Sequence, residues 1–289
     1  MNSTRPKHVL LIMLDGVGWP ETALENSIYA DCPALLRLFQ RHAVPVDTCL
    51  NVPGLPQSAT GQTAILTGVN AAAELGSHLH GFPNARLRDI IEQNNLFIQL
   101  RDQGVRADFA NAYALKPEQA LGTAVRSVTT VAVTSAYGKT RTREHLFAGQ
   151  AVYHDLTRSW LAEKEQAPVP LVSEETAADH LLAIMRTLDF CLFEFFLTDV
   201  IGHRGTLAEK QAVLASLDRF FDRIMSRLNP TVELLLVVSD HGNIEEPDHK
   251  RHTANPVPFC AFGYQEQRAR EGVTSLTDVT PRVISLFEQ

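Results

Sequence analysis

Two hydrophobic spacings alternate along the chain. His8–Leu14 (HVLLIML) is apolar at every position after the first, which predicts a short strand buried on both faces. It stops at Asp15-Gly16, a turn signal. Comparable strand patterns occupy 106–113 (RADFANAY), 190–198 (FCLFEFFLT), 232–238 (VELLLVV) and 257–262 (VPFCAF). Between them the apolar spacing becomes helical. Residues 33–42 carry Leu35, Leu36, Leu38 and Phe39, with Pro33 suited to a first turn. A helix is predicted to open at Ser58 and stop near Gly68, and others to cover 89–103 and 174–187. The longest is predicted over 207–228. Thr206 and Glu209 make its capping box, and Val213, Leu214, Leu217, Phe221, Ile224 and Leu228 its apolar face.

This alternation predicts an α/β protein: a three-layer α/β/α sandwich around a mostly parallel sheet. Residues 1–289 are read as one domain with no internal repeat. The stretch from about 115 to 170 is mixed, with a β-rich piece (SVTTVAV) and the basic residues Lys139, Arg141 and Arg143. It is read as a small inserted cap.

Composition narrows the function classes. The chain is 45% hydrophobic and 20% charged, enough apolar matter for a sizeable core. Its net charge of −7 and lack of a Lys/Arg stripe argue against nucleic acid as a partner. Cys32, Cys49, Cys191 and Cys260 share no metal-binding or redox spacing, so reduced thiols and a cytoplasmic location are expected. No apolar stretch is long enough to cross a bilayer, and Val9–Leu14 is too short for a signal segment. No membrane partner is expected, and oligomeric state is left open.

Three of the buried strand patterns run into an acid: Asp15, Asp199 and Asp240. Sites in open α/β sheets form beyond the carboxyl ends of strands, so three distant carboxylates are expected at one edge. His241 follows Asp240 directly, and His203 stands four residues after Asp199. His252, in HTANPVP, completes the set, with His249 as its nearest competitor. Three Asp and three His suit Zn²⁺ or Mn²⁺ better than Ca²⁺. They divide into two open three-ligand sites, Asp199, His203 and His252 for one ion and Asp15, Asp240 and His241 for the other. Two divalent ions so placed can clamp the attacking and leaving oxygens of an in-line displacement. Ser58 is the candidate nucleophile, at a helix N-terminus that favours both an alkoxide and a phosphate; Thr60 is the alternative.

These residues resemble the alkaline phosphatase superfamily, and most closely its cofactor-independent phosphoglycerate mutase and phosphopentomutase branch. Asp199-Val-Ile-Gly-His203-Arg-Gly is similar to that branch's D-x-x-G-H-x-G. Asp240-His241-Gly242-Asn243 and His252-Thr-Ala-Asn255-Pro256-Val-Pro258 are similar to its D-H-G-N and H-T-x-N-P-V-P elements. Ser58-Ala-Thr-Gly61 with Gly68 looks like the superfamily's nucleophile helix, which favours Ser58 over Thr60. The resemblance covers roughly 7–70 and 190–262. It implies a phosphorylated Ser58 and a dinuclear centre with the split above. Two departures stand out: Gln62 occupies a position where the branch has His, and no large inserted domain fits into the chain. The modified residue of sulfatases, in a C/S-x-P-x-R setting, is also missing.

The expected reaction is therefore metal-dependent phosphoryl transfer on a small phosphorylated substrate, favoured as phosphomonoester or phosphodiester hydrolysis. A phosphomutase acting on a small sugar phosphate is the alternative, and a non-catalytic metal-binding scaffold the second. Arg86 and Arg88, near His78 and His80, are expected to grip the substrate, with Asn243 near the second metal; Arg126, Lys139, Arg141 and Arg143 are weaker candidates.

Overall fold

A computed structural model describes residues 5–112, 126–165 and 168–288. Six strands form one sheet: β1 (His8–Leu14), β2 (Ala43–Val46), β3 (Ala107–Phe109), β4 (Phe190–Phe195), β5 (Glu233–Ser239) and β6 (Val257–Gly263), in the order β2-β6-β5-β1-β4-β3. β1 runs parallel to β4 and β5, and β3 parallel to β4. β6 is antiparallel to its neighbours β5 and β2. The sheet is therefore mostly parallel, as expected from the helices that separate its strands.

Every residue of β1 is buried. Its side chains alternate between faces, so Val9, Leu11 and Met13 join one core while Leu10, Ile12 and Leu14 join the other. The first core packs under helices Ser58–Thr67, Ala85–Gln93, Leu96–Asp102, Val128–Tyr137 and Val279–Ser285. The second packs under Pro33–His42, Glu174–Met185 and Leu207–Arg227. Each fully buried large apolar side chain contributes roughly 1.5–3 kcal/mol, so a central strand apolar on both faces anchors both layers.

The register positions the site. Leu14 pairs with Phe195 on one side and Ser239 on the other, so β1, β4 and β5 end level. The residues that follow all emerge at one edge.

Several boundaries differ from the sequence reading. The helix predicted over 89–103 is two helices, because Asn95 ends one and starts the next. Its Nδ2 donates to Ile91 O (2.8 Å) and its Oδ1 accepts from Phe97 N (2.9 Å) and Ile98 N. The strand predicted over 190–198 stops at Phe195, and Leu197–Arg204 is helical. The strand predicted over 106–113 is reduced to Ala107–Phe109.

The SVTTVAV piece is a helix, Val128–Tyr137, capped by Ser127 Oγ on Thr130 N (3.2 Å). Its β-branched residues weaken helix propensity only slightly, and burial of Val128, Val131 and Val133 in the main core outweighs that cost. Farther along, Leu146, Ala151, Tyr153 and Leu161 form a small separate cluster with Ala112. Residues 113–125, in the segment expected as a cap, lie outside the described residues. All four cysteines are free thiols. No helix among the described residues is long and apolar enough to cross a membrane.

Candidate metal centre

Asp15 follows β1 directly. Its backbone is tied to β4 through Asp15 N on Phe195 O (2.9 Å) and to the next helix through Thr198 Oγ1 on Asp15 O (2.5 Å). Gly16 turns the chain at φ +74°, and a Cβ there would lie 2.9 Å from the Asp199 Cα, so only glycine permits this approach. Asp199 lies in the first turn of Leu197–Arg204, and His203 stands one turn later on the same face. Asp240 and His241 follow β5 and are fully buried. His252 arrives from the loop before β6. Ser58 is the first residue of its helix, after Gln57 in extended conformation.

The six expected ligands converge. In the first group, Asp199 Oδ1 lies 3.3 Å from His203 Nε2 and 3.2 Å from His252 Nε2. The two Nε2 atoms are 2.9 Å apart. In the second, His241 Nε2 lies 3.2 Å from Asp15 Oδ1 and 3.8 Å from Asp240 Oδ1. Tetrahedral ligands about 2.1 Å from an ion are separated by about 3.4 Å, so both triangles have the size a metal requires. His241 belongs to more than one grouping: its ring also stacks on His252 with centroids 3.7 Å apart, and a ligand atom of His241 lies within 4.8 Å of ligand atoms of Asp199 and His252.

The hydrogen bonds show what the triangles are built to hold. His203 Nδ1 faces Lys250 O (2.7 Å), His252 Nδ1 faces Pro56 O (2.8 Å) and His241 Nδ1 faces Gly242 O (3.3 Å). A carbonyl only accepts, so each Nδ1 carries a proton and each neutral ring presents an Nε2 lone pair inward. Lone pairs then face carboxylate oxygens with no donor between them. Asp15 Oδ1 is buried and makes no hydrogen bond, although it sits 3.2 Å from His241 Nε2. Only a cation or an extra proton relieves such an arrangement. The donor set, oxygen and imidazole nitrogen together, fits Zn²⁺ or Mn²⁺.

Titration follows the same logic. Burial raises Asp15 well above the ordinary carboxylate range, and the nearby Asp240 adds to it. Burial likewise raises Asp240. For His241, burial opposes the charged form, but Asp240 and Asp15 outweigh it and push the imidazole up to about 10. At Asp199 burial is overcome by hydrogen bonds from His203 and His252, which hold the carboxyl well below its usual range. The Asp199 carboxylate in turn raises His203. Without metal, protons take the place of the cations.

Three further residues support the ligands. Gln62 Nε2 donates to both Asp15 Oδ2 (3.1 Å) and Asp240 Oδ2 (2.9 Å), bridging two carboxylates on different strands. Asn243 Nδ2 donates to Asp199 Oδ1 (2.7 Å). Buried Glu245 accepts from Gly18 N (3.0 Å), Asn243 N (2.7 Å), Asn255 Nδ2 (3.2 Å) and Thr253 Oγ1, tying the loop after β5 to the loop before β6. The sequence reading treated Gln62 only as a departure and passed over Glu245; its one signal was an acid two residues beyond Asn243.

Ser58 Oγ lies 3.0 Å from His241 Nε2, at the boundary of the two groups. Beside it is a cleft of about 460 Å³, lined in part by Leu55, His80, Asp199, Lys250 and Arg251. Other candidates lie elsewhere. Thr60 is fully buried and bonds to the backbone at Gln57 and Leu79, so it is no nucleophile. His249 is exposed and takes no part in the cluster. Arg86 pairs with Glu74 (2.7 Å), and Arg88 donates to Pro83 O (2.8 Å). Neither arginine is among the residues that line the cleft, where a substrate grip was expected. Asn243 is fully buried, with its amide directed at Asp199. His78 bonds to Val52 O, Arg126 to Thr134, and Arg141 pairs with Asp108. Arg143 lies over the Phe147 ring, and Lys139 lines a separate cavity with Tyr137 and Arg141.

Known proteins are similar to this chain in sequence and in fold. A stretch of 126 residues is 34% identical to the 2,3-bisphosphoglycerate-independent phosphoglycerate mutase of Moorella thermoacetica, covering 41% of this chain and 24% of that protein. The namesake protein of Ehrlichia canis is 27% identical over 128 residues, covering 41% and 25%. The chain thus matches about a quarter of the length of these curated relatives. The fold matches the phosphonate monoester hydrolase of Agrobacterium radiobacter (TM-score 0.58, 14% identity, 98% of this chain and 74% of that one). It also matches a cold-active alkaline phosphatase from the psychrophile Shewanella sp. (TM-score 0.53, 13% identity, 98% and 100%). With an alkaline-phosphatase-like fold and a family profile that matches residues 7–289, the chain belongs to the Metalloenzyme superfamily.

Proposed function

We propose that the protein is a metal-dependent phosphoryl-transfer enzyme that hydrolyses a small phosphomonoester or phosphodiester through a phosphoserine at Ser58. The observation that carries this reading is the placement of Ser58 Oγ, 3.0 Å from His241 Nε2 and beside two convergent ligand triangles. Asp199, His203 and His252 would hold one divalent ion, Mn²⁺ or Zn²⁺, and Asp15, Asp240 and His241 the other. Bound there, the ions would supply positive charge that lowers the pKa of the Ser58 hydroxyl and offsets charge on the phosphoryl oxygens.

The protein's own groups supply the rest. Ser58 begins a helix, whose first-turn N–H groups lack partners within the helix and favour an anion at that end. The serine oxygen attacks phosphorus in line. Its bond to phosphorus forms as the bond to the leaving oxygen breaks, and the hydroxyl proton passes through solvent to that oxygen, which departs as the alcohol. Water then attacks phosphorus in the serine ester, releasing phosphate from a monoester substrate or a phosphomonoester from a diester, and returning a proton to Ser58. Gln62 and Asn243 hold the carboxylates in place throughout.

The test is turnover by metal-loaded protein of a panel of aryl phosphates, phosphodiesters and sugar phosphates. Ser58→Ala should abolish turnover while the bound metal, counted by elemental analysis, persists. Acid-quenched wild-type protein should carry phosphate on Ser58 by mass spectrometry. Full activity in Ser58→Ala overturns the assignment. Isomerised sugar phosphate without phosphate release would replace hydrolase with mutase. No turnover across the panel with two ions bound would favour a non-catalytic scaffold.

A further inference from the structure

With Arg86 and Arg88 occupied elsewhere, the cations that face the cleft come from the loop ahead of His252. Lys250 and Arg251 both line it, together with Ser58 and Asp199. Both are exposed, and among the described residues neither side chain makes an ion pair or hydrogen bond. Acids lie close in sequence, yet Glu246 contacts Asn255 and Asp248 does not line the cleft. Two adjacent like charges beside Ser58 thus make no ion pair among the described residues, and the one carboxylate that shares their cleft, Asp199, is engaged by His203, His252 and Asn243.

Their loop is held in place. Lys210, only 1% exposed on the long helix Leu207–Arg227, donates from Nζ to Pro247 O (3.0 Å) and His249 O (3.4 Å). His203 Nδ1 donates to Lys250 O (2.7 Å), so the ligand triangle itself fixes the backbone of the first cation. Burying a lysine among carbonyls is costly unless its donors are used, and here they are used on this loop. In the proposed reaction the phosphoryl oxygens are met by Ser58, the helix start and the two ligand triangles, so the two cations that line the same cleft remain for another part of the substrate.

We propose that Lys250 and Arg251 form a second anion subsite that selects phosphate esters whose alcohol portion carries a carboxylate or a second phosphate. The guanidinium offers a planar pair of donors suited to either group, and the ammonium a mobile point charge. This rests on phosphoryl transfer at Ser58. A cleft of about 460 Å³ has room for a small two-anion ester.

The experiment uses the full, metal-loaded chain and three esters built on one ring: phenyl phosphate, carboxyphenyl phosphate and phenylene bisphosphate. The Lys250→Gln/Arg251→Gln double variant is compared with wild type. For a two-anion ester kcat/KM should fall roughly tenfold to a hundredfold, mainly through KM, and for phenyl phosphate several times less. Which two-anion ester loses more identifies the anion. Equal loss on all three esters, or no selective loss, overturns the subsite. Failure of wild type to turn over any ester counts against the hydrolase reading alone. In that case dissociation constants of the three esters for wild type and variant decide the subsite by the same comparison.

Discussion

Ser58 Oγ and His241 Nε2 lie 3.0 Å apart, across the gap between the start of a helix and the loop that leaves β5. His241 Nδ1 is engaged by Gly242 O, which leaves Nε2 as the ring nitrogen that faces the serine hydroxyl. The same imidazole approaches Asp15 and stacks on His252. One ring therefore touches the proposed nucleophile and both candidate ligand groups.

His241→Ala should accordingly do more than remove one ligand. Metal affinity should fall by more than the roughly 10–100-fold that follows loss of an outer partner. Titration calorimetry with Mn²⁺ or Zn²⁺ measures this directly. Unchanged affinity and stoichiometry would show that His241 is not a ligand.

Gln62→Leu tests the bridge between Asp15 and Asp240. The substitution keeps much of the side-chain volume but leaves both carboxylates without their shared donor. Affinity for one of the two ions should drop roughly 10–100-fold while the other stays near its wild-type value. An equal loss at both ions would mean the bridge acts on the whole fold rather than on this pair.

At Gly202, an added Cβ would lie 2.6 Å from Asn243 Oδ1. Asn243 is fully buried and has nowhere to retreat, so Gly202→Ala should break its hold on Asp199. A stability loss of about 1–3 kcal/mol and weakened metal binding are expected together. Gly138→Ala is the control. Its φ of +73° carries the left-handed penalty of about 1–2 kcal/mol, with nothing within 4 Å of the new methyl. It should destabilise without altering metal affinity, and thermal melts with and without metal separate the two.

The metal-free protein should lose stability as pH rises from about 4 to about 10. Asp15, Asp240, His203 and His241 all have folded pKa values above their ordinary ones, reaching about 10 at His241. Each contributes stability that is complete below its unfolded pKa and lost as pH climbs through its folded one. Asp199 is depressed and has the opposite sign, but its contribution is lost only as pH falls below the ordinary carboxylate range. Divalent metal replaces the protons, so loading should flatten the decline and release protons on binding. Denaturant midpoints across this pH range, with and without metal, provide the check; a rising curve for the metal-free protein would contradict the site electrostatics.

How far the sequence reaches depends on the kind of signal. The runs HVLLIML and VELLLVV are apolar at nearly every position and too short for a typical helix, which suits a strand covered on both faces, and strands occupy His8–Leu14 and Glu233–Ser239. The acids that follow them are legible for the same reason, because a parallel sheet delivers strand ends to one edge. SVTTVAV misleads because β-branched residues bias local propensity, while the decision to form a helix came from burial against the main core. The break at Asn94-Asn95 depends on side-chain capping that no periodicity records.

At the site, the six candidate ligands and Ser58 were legible as candidates in the sequence, since residue type and spacing carry the chemistry that metals and phosphate demand. Which atoms meet was decided in three dimensions. Level strand ends brought Asp15, Asp199 and Asp240 together, Gln62 joined two of them, and Asn243 turned inward to Asp199. Arg86 and Arg88 found partners of their own, leaving Lys250 and Arg251 at the cleft. The physical reason is that a ligand's chemistry is local to its residue, whereas the partner of a long charged side chain is chosen by whatever the fold places within its reach.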